Sequence, residues 1–189
     1  MQTAALLERL ELSSAEPDPR RRRLIALAIL TERLRQDNIT PILVGGGAVE
    51  FYTAGGYATT DIDLALPACE EVNVAFADLG FEKVGRYWVR EDLDLLFEAP
   101  ALAGLPGEDA PRTVVEIDGM TATIIGVDDL IMDRLRAWVH WQSTEDERWT
   151  KRLAQLYKDQ IDWEYLRSRS MSIPQELEAI QELFDETRQ

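Results

Sequence analysis

The stretch LVGGGAVEFYTAGGYATTDIDL, Leu43 to Leu64, limits the fold more than any other part of the chain. It reads as a short buried strand, a glycine turn, a helix and a second strand that carries DID. Residues two apart on a strand share a face, with Cα atoms roughly 6.6 Å apart. Asp61 and Asp63 therefore stand side by side, and Ile62 turns into the core behind them. Two carboxylates this close repel one another, and burying them is costly without a positive partner. A divalent cation with a taste for hard oxygen ligands, Mg²⁺ or Mn²⁺, removes the conflict. Upstream, Gly45, Gly46 and Gly47 sit between strand and helix. Glycine lets the backbone come close to a ligand, and a helix N-terminus favours anions. An anion cradle next to a metal-binding pair is a plan for phosphate chemistry.

The other segments fall into place around this one. Leu6 to Leu34 reads as helical, interrupted at SSAEPDP, and TPILVGG as the first strand. Pro67 closes the DID strand, CEEVNVAFADLG is a helix stopped at Gly80, and FEKVGRYWVR and DLDLLFEAP are strand-like. TVVEIDGMTATII signals a hairpin turning at Asp118-Gly119. From Val127 the period changes, and Val127, Leu130, Ile131, Leu135 and Trp138 form a helical stripe. The rest is helical, with breaks near DQIDW and SIP. The fold class is α+β (α/β): a mixed β-sheet flanked by helices, with a helical C-terminal region. The expected divisions are N-terminal helices over 1–38 packing on the core, an α/β core over 39–126 and the helical region over 127–189.

Composition narrows the setting. The formal net charge of −15 opposes the phosphate backbone of nucleic acids, so non-specific DNA binding is not expected. The basic run Arg20 to Arg23 reads as a solvated, charged helix start rather than a phosphate grip. No apolar run approaches the ~20 residues of a membrane span, and the first residues lack an export pattern. Cys69, the single cysteine, suits a reducing cytoplasm, where the protein is expected.

Fourteen residues, Gly47 to Thr60, separate Gly46 from Asp61. In this order and spacing the chain resembles the DNA polymerase β-like nucleotidyltransferase superfamily, with its apolar-Gly-Gly/Ser turn, short helix and acid-apolar-acid strand. LVGGGAVEFY and TTDIDL look most like the bacterial and archaeal branch that holds the AbiEii-type abortive-infection nucleotidyltransferase toxins. The resemblance runs from about Pro41 to Pro100 and more loosely through VDDLIMDRLRAWVHWQ. It implies a nucleotidyltransferase-like sheet and transfer of a nucleoside monophosphate from an NTP such as ATP to an acceptor hydroxyl. The acceptor is left open between tRNA, a protein and a small molecule, and a toxin–antitoxin or phage-defence setting would bring a partner protein. Gly45, Gly46 and Gly47, with Thr59 and Thr60, would bind the nucleotide, and Asp61 and Asp63 would ligate the metals. A third carboxylate on a neighbouring strand would complete the site and act on the acceptor hydroxyl. Strand parity over DLDLLFEAP puts Asp94, Leu96 and Glu98 on one face. The apolar-Glu-x-Pro ending of relatives favours Glu98, with Asp94 as the alternative and Pro100 closing the strand. One position departs: many toxin relatives carry an arginine where this chain has Tyr57. Arg134 or Arg136 is a candidate to replace that cation.

Other readings compete for the same residues. DxD also serves glycosyltransferases and aspartyl-phosphate phosphatases, but neither accounts for the glycine turn, and Ala65 stands where the phosphatase motif has Thr or Val. The fold could also persist as a non-catalytic nucleotide-binding or partner-binding module. His140 reads as a packed helix end, and Asp129 and Asp133 as a solvated face. Trp149, Tyr157, Trp163 and Tyr165 read as core anchors or a partner surface.

Overall fold

The computed structural model describes residues 2–99 and 110–188. It falls into two compact units, Met1–Ile125 and Gly126–Gln189. The first unit holds a seven-stranded mixed sheet. Its strands are β1 (Ile42–Leu43), β2 (Ile62–Ala65), β3 (Glu82–Val84), β4 (Tyr87–Arg90), β5 (Leu95–Glu98), β6 (Arg112–Ile117) and β7 (Met120–Ile125). They lie in the order β3-β4-β5-β2-β1-β7-β6. β2 runs parallel to β5 and antiparallel to β1, and β1 runs parallel to β7.

The helices of this unit are α1 (Thr3–Leu12), α2 (Pro19–Leu34), α3 (Gly45–Tyr52) and α4 (Glu70–Asp78). α2 is nearly all buried along its middle: Leu27, Ala28, Ile29 and Leu34 expose nothing, which fits its packing on β7, α4 and α1. Asp18 caps it, its carboxylate accepting from the Arg20 N–H, and Pro19, which has no N–H to satisfy, opens it. On the sheet, Ile62 pairs with Phe97 and Phe97 with Trp88, so the three share one face. Phe76 of α4 covers that face, stacked on Trp88 at 4.4 Å and edge-on to Phe97. Period-two alternation then puts Tyr87, Asp63 and Glu98 on the opposite face.

The structure corrects three local readings in this unit. FEKVGRYWVR is a hairpin rather than one strand: β3 and β4 turn at Gly85-Arg86, where Gly85 has φ +63°. DLDLLFEAP is a strand only from Leu95 to Glu98. Glu91–Leu93 forms a 3₁₀ turn, and Asp94 adopts left-handed backbone with φ +52°. Pairing explains this, since β4 meets β5 with Arg90 opposite Leu95 and the four residues between must turn the chain. The basic run is not simply solvated either. Arg20 pairs with Asp18, Arg21 with Glu16 and Asp118, Arg22 with Asp94, and Arg23 with Glu50. Asp118-Gly119 turns as expected, both at positive φ, the mark of a tight two-residue hairpin loop. Pro100, expected to close β5, lies outside the described residues.

The second unit is helical: α5 (Val127–Trp141), α6 (Thr144–Leu156), α7 (Trp163–Arg169) and α8 (Pro174–Thr187). The breaks at DQIDW and SIP are where the sequence indicates. A third break, missed by periodicity, falls at Gln142, which has φ +53°, and Ser143, which caps α6. Leu130, Ile131, Leu135, Leu153, Leu166, Ile180 and Leu183 expose nothing. Asp129 is not part of a solvated face: it is buried and accepts a 2.8 Å bond from the Tyr165 hydroxyl. Burial, and then that bond, push the Tyr165 phenol up to about 12. Trp163 meets Phe184 edge-on, and Trp149 is buried, which fits their reading as core anchors. Among the described residues no helix is long and apolar enough to cross a membrane.

Candidate active site

Asp61 ends the loop before β2, and Asp63 lies on it. Asp63 is in register with Glu98 on the parallel neighbour β5, so the two side chains leave the sheet from the same face. One oxygen each from Asp61, Asp63 and Glu98 lies within 4.8 Å of the others. Asp61 and Asp63 are half-buried and Glu98 is buried. Three carboxylates gathered this tightly form a donor set for a hard divalent cation. Asp94 is not in the cluster. Its side chain is 91% exposed and pairs with Arg22.

Two flanking devices hold the acids. The Thr59 hydroxyl donates to Asp61 Oδ1 at 2.6 Å. The backbone N–H of Gly46, in the first turn of α3, donates to Asp63 Oδ2 at 3.2 Å. Gly45 sits directly against Asp63. A Cβ there would lie 2.2 Å from Asp63 Oδ2, and its φ of +56° is left-handed. The glycine turn thus makes room for an acid, in addition to any ligand. Gly46 faces Tyr57 and Thr59, where a Cβ would meet Tyr57 Cε1 at 3.1 Å. Gly47 is different: it is buried, and its Cα faces Leu43 Cδ1, so it packs α3 on β1. Thr60 is exposed.

Arg134 and Arg136 are engaged inside the helical unit, Arg134 with Asp133 and Asp146, Arg136 with Glu176. In the first unit Arg86, which sequence reasoning passed over, lies with its Nε 3.2 Å from Glu98 Oε1. The signal was available, since Arg86 precedes Tyr87 and parity pairs Tyr87 with Glu98. It required reading the hairpin first. A cavity of about 220 Å³ is lined by Asp61 together with Leu27, Leu43, Phe51, Arg20 and Arg23. His140 Nε2 donates to Glu176 Oε1 at 2.8 Å in the helical unit.

No protein-family model matches the chain, and no curated protein matches it. Solved structures do. The chain is similar to an antigenic nucleotidyltransferase-like protein from Paracoccidioides brasiliensis, with a TM-score of 0.54 and 15% identity over 92% of this chain and 93% of that one. It is also similar, at a TM-score of 0.49 and 16% identity, to ANT(2″)-Ia in complex with adenylyl-2″-tobramycin, over 84% of this chain and 92% of that one. The first likeness establishes the fold. The seven-stranded mixed sheet with its flanking helices and the C-terminal helices are those of a nucleotidyltransferase-like protein.

Proposed function

We propose that this chain is a metal-dependent nucleotidyltransferase, moving a nucleoside monophosphate from an NTP to an acceptor hydroxyl. The observation that carries the reading is the convergence of Asp61, Asp63 and Glu98 within 4.8 Å, on a fold of this class. Fold alone does not give function. The donor set adds the chemistry. All three residues supply hard oxygens, and Gly45 leaves Asp63 a space that no other residue would. Mg²⁺ or Mn²⁺ held by these three carboxylates would neutralise the phosphates and polarise the α-phosphorus.

The protein's own groups have separate tasks. Thr59 fixes the rotamer of Asp61, and the Gly46 amide fixes Asp63, so both acids are pre-aimed. The first turn of α3 offers its remaining backbone donors to the triphosphate. Glu98, the most buried of the three acids, takes the proton as the acceptor hydroxyl attacks the α-phosphorus and pyrophosphate leaves. The cavity beside Asp61 is space for the nucleoside or for an apolar part of the acceptor. A tRNA end, a protein hydroxyl and a small molecule all supply the needed nucleophile. The resemblance to the AbiEii-type branch supports a toxin–antitoxin or phage-defence setting with a partner protein, and Tyr57 in place of arginine sets this chain apart within it.

A thermal-shift series over the four NTPs, with and without Mg²⁺, tests the reading. Stabilisation by a nucleotide only with Mg²⁺, together with pyrophosphate release in cell extract, is expected. Asp63→Asn should remove both while leaving the protein folded. Stabilisation without turnover under any acceptor would instead make the chain a nucleotide-binding module. Unchanged nucleotide affinity in both Asp61→Asn and Asp63→Asn would sink the metal site.

A further inference from the structure

Arg86 occupies an unusual position. It lies on the two-residue turn of the β3–β4 hairpin, beside Gly85, which has open space around it. Its side chain is 68% exposed, yet its guanidinium reaches back to the acids. Nε lies 3.2 Å from Glu98 Oε1, and Nη2 donates to the Tyr87 hydroxyl at 2.7 Å. The guanidinium also sits 5.0 Å from the centroid of the Tyr87 ring. Tyr87 is the register partner of Glu98, so it brings the arginine to the acidic face of the sheet. The hydrogen bond to Tyr87, then the charge of Glu98 and the nearby charge of Asp63, hold the guanidinium firmly in its charged form.

We propose that Arg86 is an exchangeable counter-ion of the site: it pairs with Glu98 until a divalent cation takes the three carboxylates, and it then pairs with the triphosphate. The inference rests on the metal-dependent reading above. A guanidinium on Glu98 and a cation shared by all three acids compete for the charge of the same carboxylate. The arginine is the weaker competitor, because an exposed ion pair is worth little, whereas the cation meets three carboxylates together. Tyr87 then keeps the released guanidinium near the place where phosphates meet the acids. Its planar fork matches phosphate oxygens. Arg86 would thus supply the cation that Tyr57 does not.

Direct Mn²⁺ binding, followed by electron paramagnetic resonance on the full chain, tests this without turnover. In the absence of nucleotide, Arg86→Gln is expected to bind Mn²⁺ about fivefold more tightly, the scale of one exposed ion pair removed. With saturating Mn²⁺, the same variant is expected to bind a non-hydrolysable triphosphate about tenfold more weakly, the scale of one charge-assisted hydrogen bond to phosphate. Arg86→Lys should restore part of the second effect. Equal or weaker Mn²⁺ affinity in Arg86→Gln, or undiminished triphosphate affinity, overturns the inference. Asp63→Asn serves as the reference: wild-type Mn²⁺ binding that Asp63→Asn abolishes upholds the site itself, so the two ideas fail separately. A wild-type protein that binds no Mn²⁺ overturns both.

Discussion

At the scale of single residues, the glycine turn and the acids are one device. Gly45 has left-handed backbone, and its missing Cβ is the volume that Asp63 fills. Gly45→Ala must therefore adopt a strained φ, at about 1–2 kcal/mol, and must also push Asp63 aside. The clash is with a short carboxylate held by the Gly46 amide, so no flexible chain end can absorb it. The expected result is a stability lowered by about 2 kcal/mol or more in urea unfolding, together with loss of Mn²⁺ binding. An Ala variant with wild-type stability and wild-type metal affinity would refute the coupling. Thr59 tests a milder version. Thr59→Val keeps the shape and removes the 2.6 Å bond to Asp61 Oδ1. Its metal affinity should fall while its stability changes by about 1 kcal/mol or less, measured by calorimetry and urea melts on the same sample.

At the scale of elements, the sequence exposed the period of each segment but not where a partner strand would end it. The alternation of Asp61, Ile62, Asp63 and Leu64 is local, and the faces it indicates match the observed register of β2 with β5. Parity over DLDLLFE was just as regular, yet it held only from Leu95, because antiparallel pairing with β4 stops at Arg90 and the chain must turn. Asp94 is therefore a turn residue, a fact that lives in the pairing and not in the period. The same holds for Arg86, whose contact with Glu98 depends on a hairpin that a continuous strand-like run concealed. In the helical unit, neither His140 nor Arg136 pointed by spacing to Glu176, which lies 36 and 40 residues away. That trio makes an element-scale prediction. Burial pushes the Glu176 carboxyl up, but bonds from Ser170, His140 and Arg136 outweigh it and hold it below its ordinary 4.5. A carboxylate depressed on folding adds stability above its ordinary value, and that stability is lost as pH falls through the depressed one. Glu176→Gln should cost about 2 kcal/mol at neutral pH, and the gap from wild type should close well below pH 4.5. Urea midpoints of both proteins across that range decide it. A gap that persists unchanged in acid would mean that packing, not charge, carries the role.

At the scale of the whole molecule, charge is the dominant fact. Thirty-five acidic residues face twenty basic ones, a formal net charge of −15. Even if every Lys and Arg paired with one acid, fifteen acids would remain without such a partner. The observed pairs are unevenly shared: Lys151 alone meets Glu147, Glu182 and Glu186, and Arg21 meets both Glu16 and Asp118. The field of the molecule should keep duplex DNA away at physiological salt, whatever local bonds the arginines of α2 make. The same field should also strain the fold. Self-repulsion among the excess acids is long-ranged, and salt cuts its reach from about 30 Å at 0.01 M to about 8 Å at physiological strength. Salt also weakens the ion pairs, but most of those are partly exposed and each is worth ~1 kcal/mol or less. Repulsion should win, so melting temperature is expected to rise with NaCl below physiological strength, where salting-out effects on apolar surface are still small. For a chain of this length, each 1 kcal/mol of relief appears as about 2–4 °C. Differential scanning calorimetry through a low-salt NaCl series, with sucrose as an uncharged control, makes the measurement. A melting temperature that falls as salt is added would show that the ion pairs together outweigh the excess of acids.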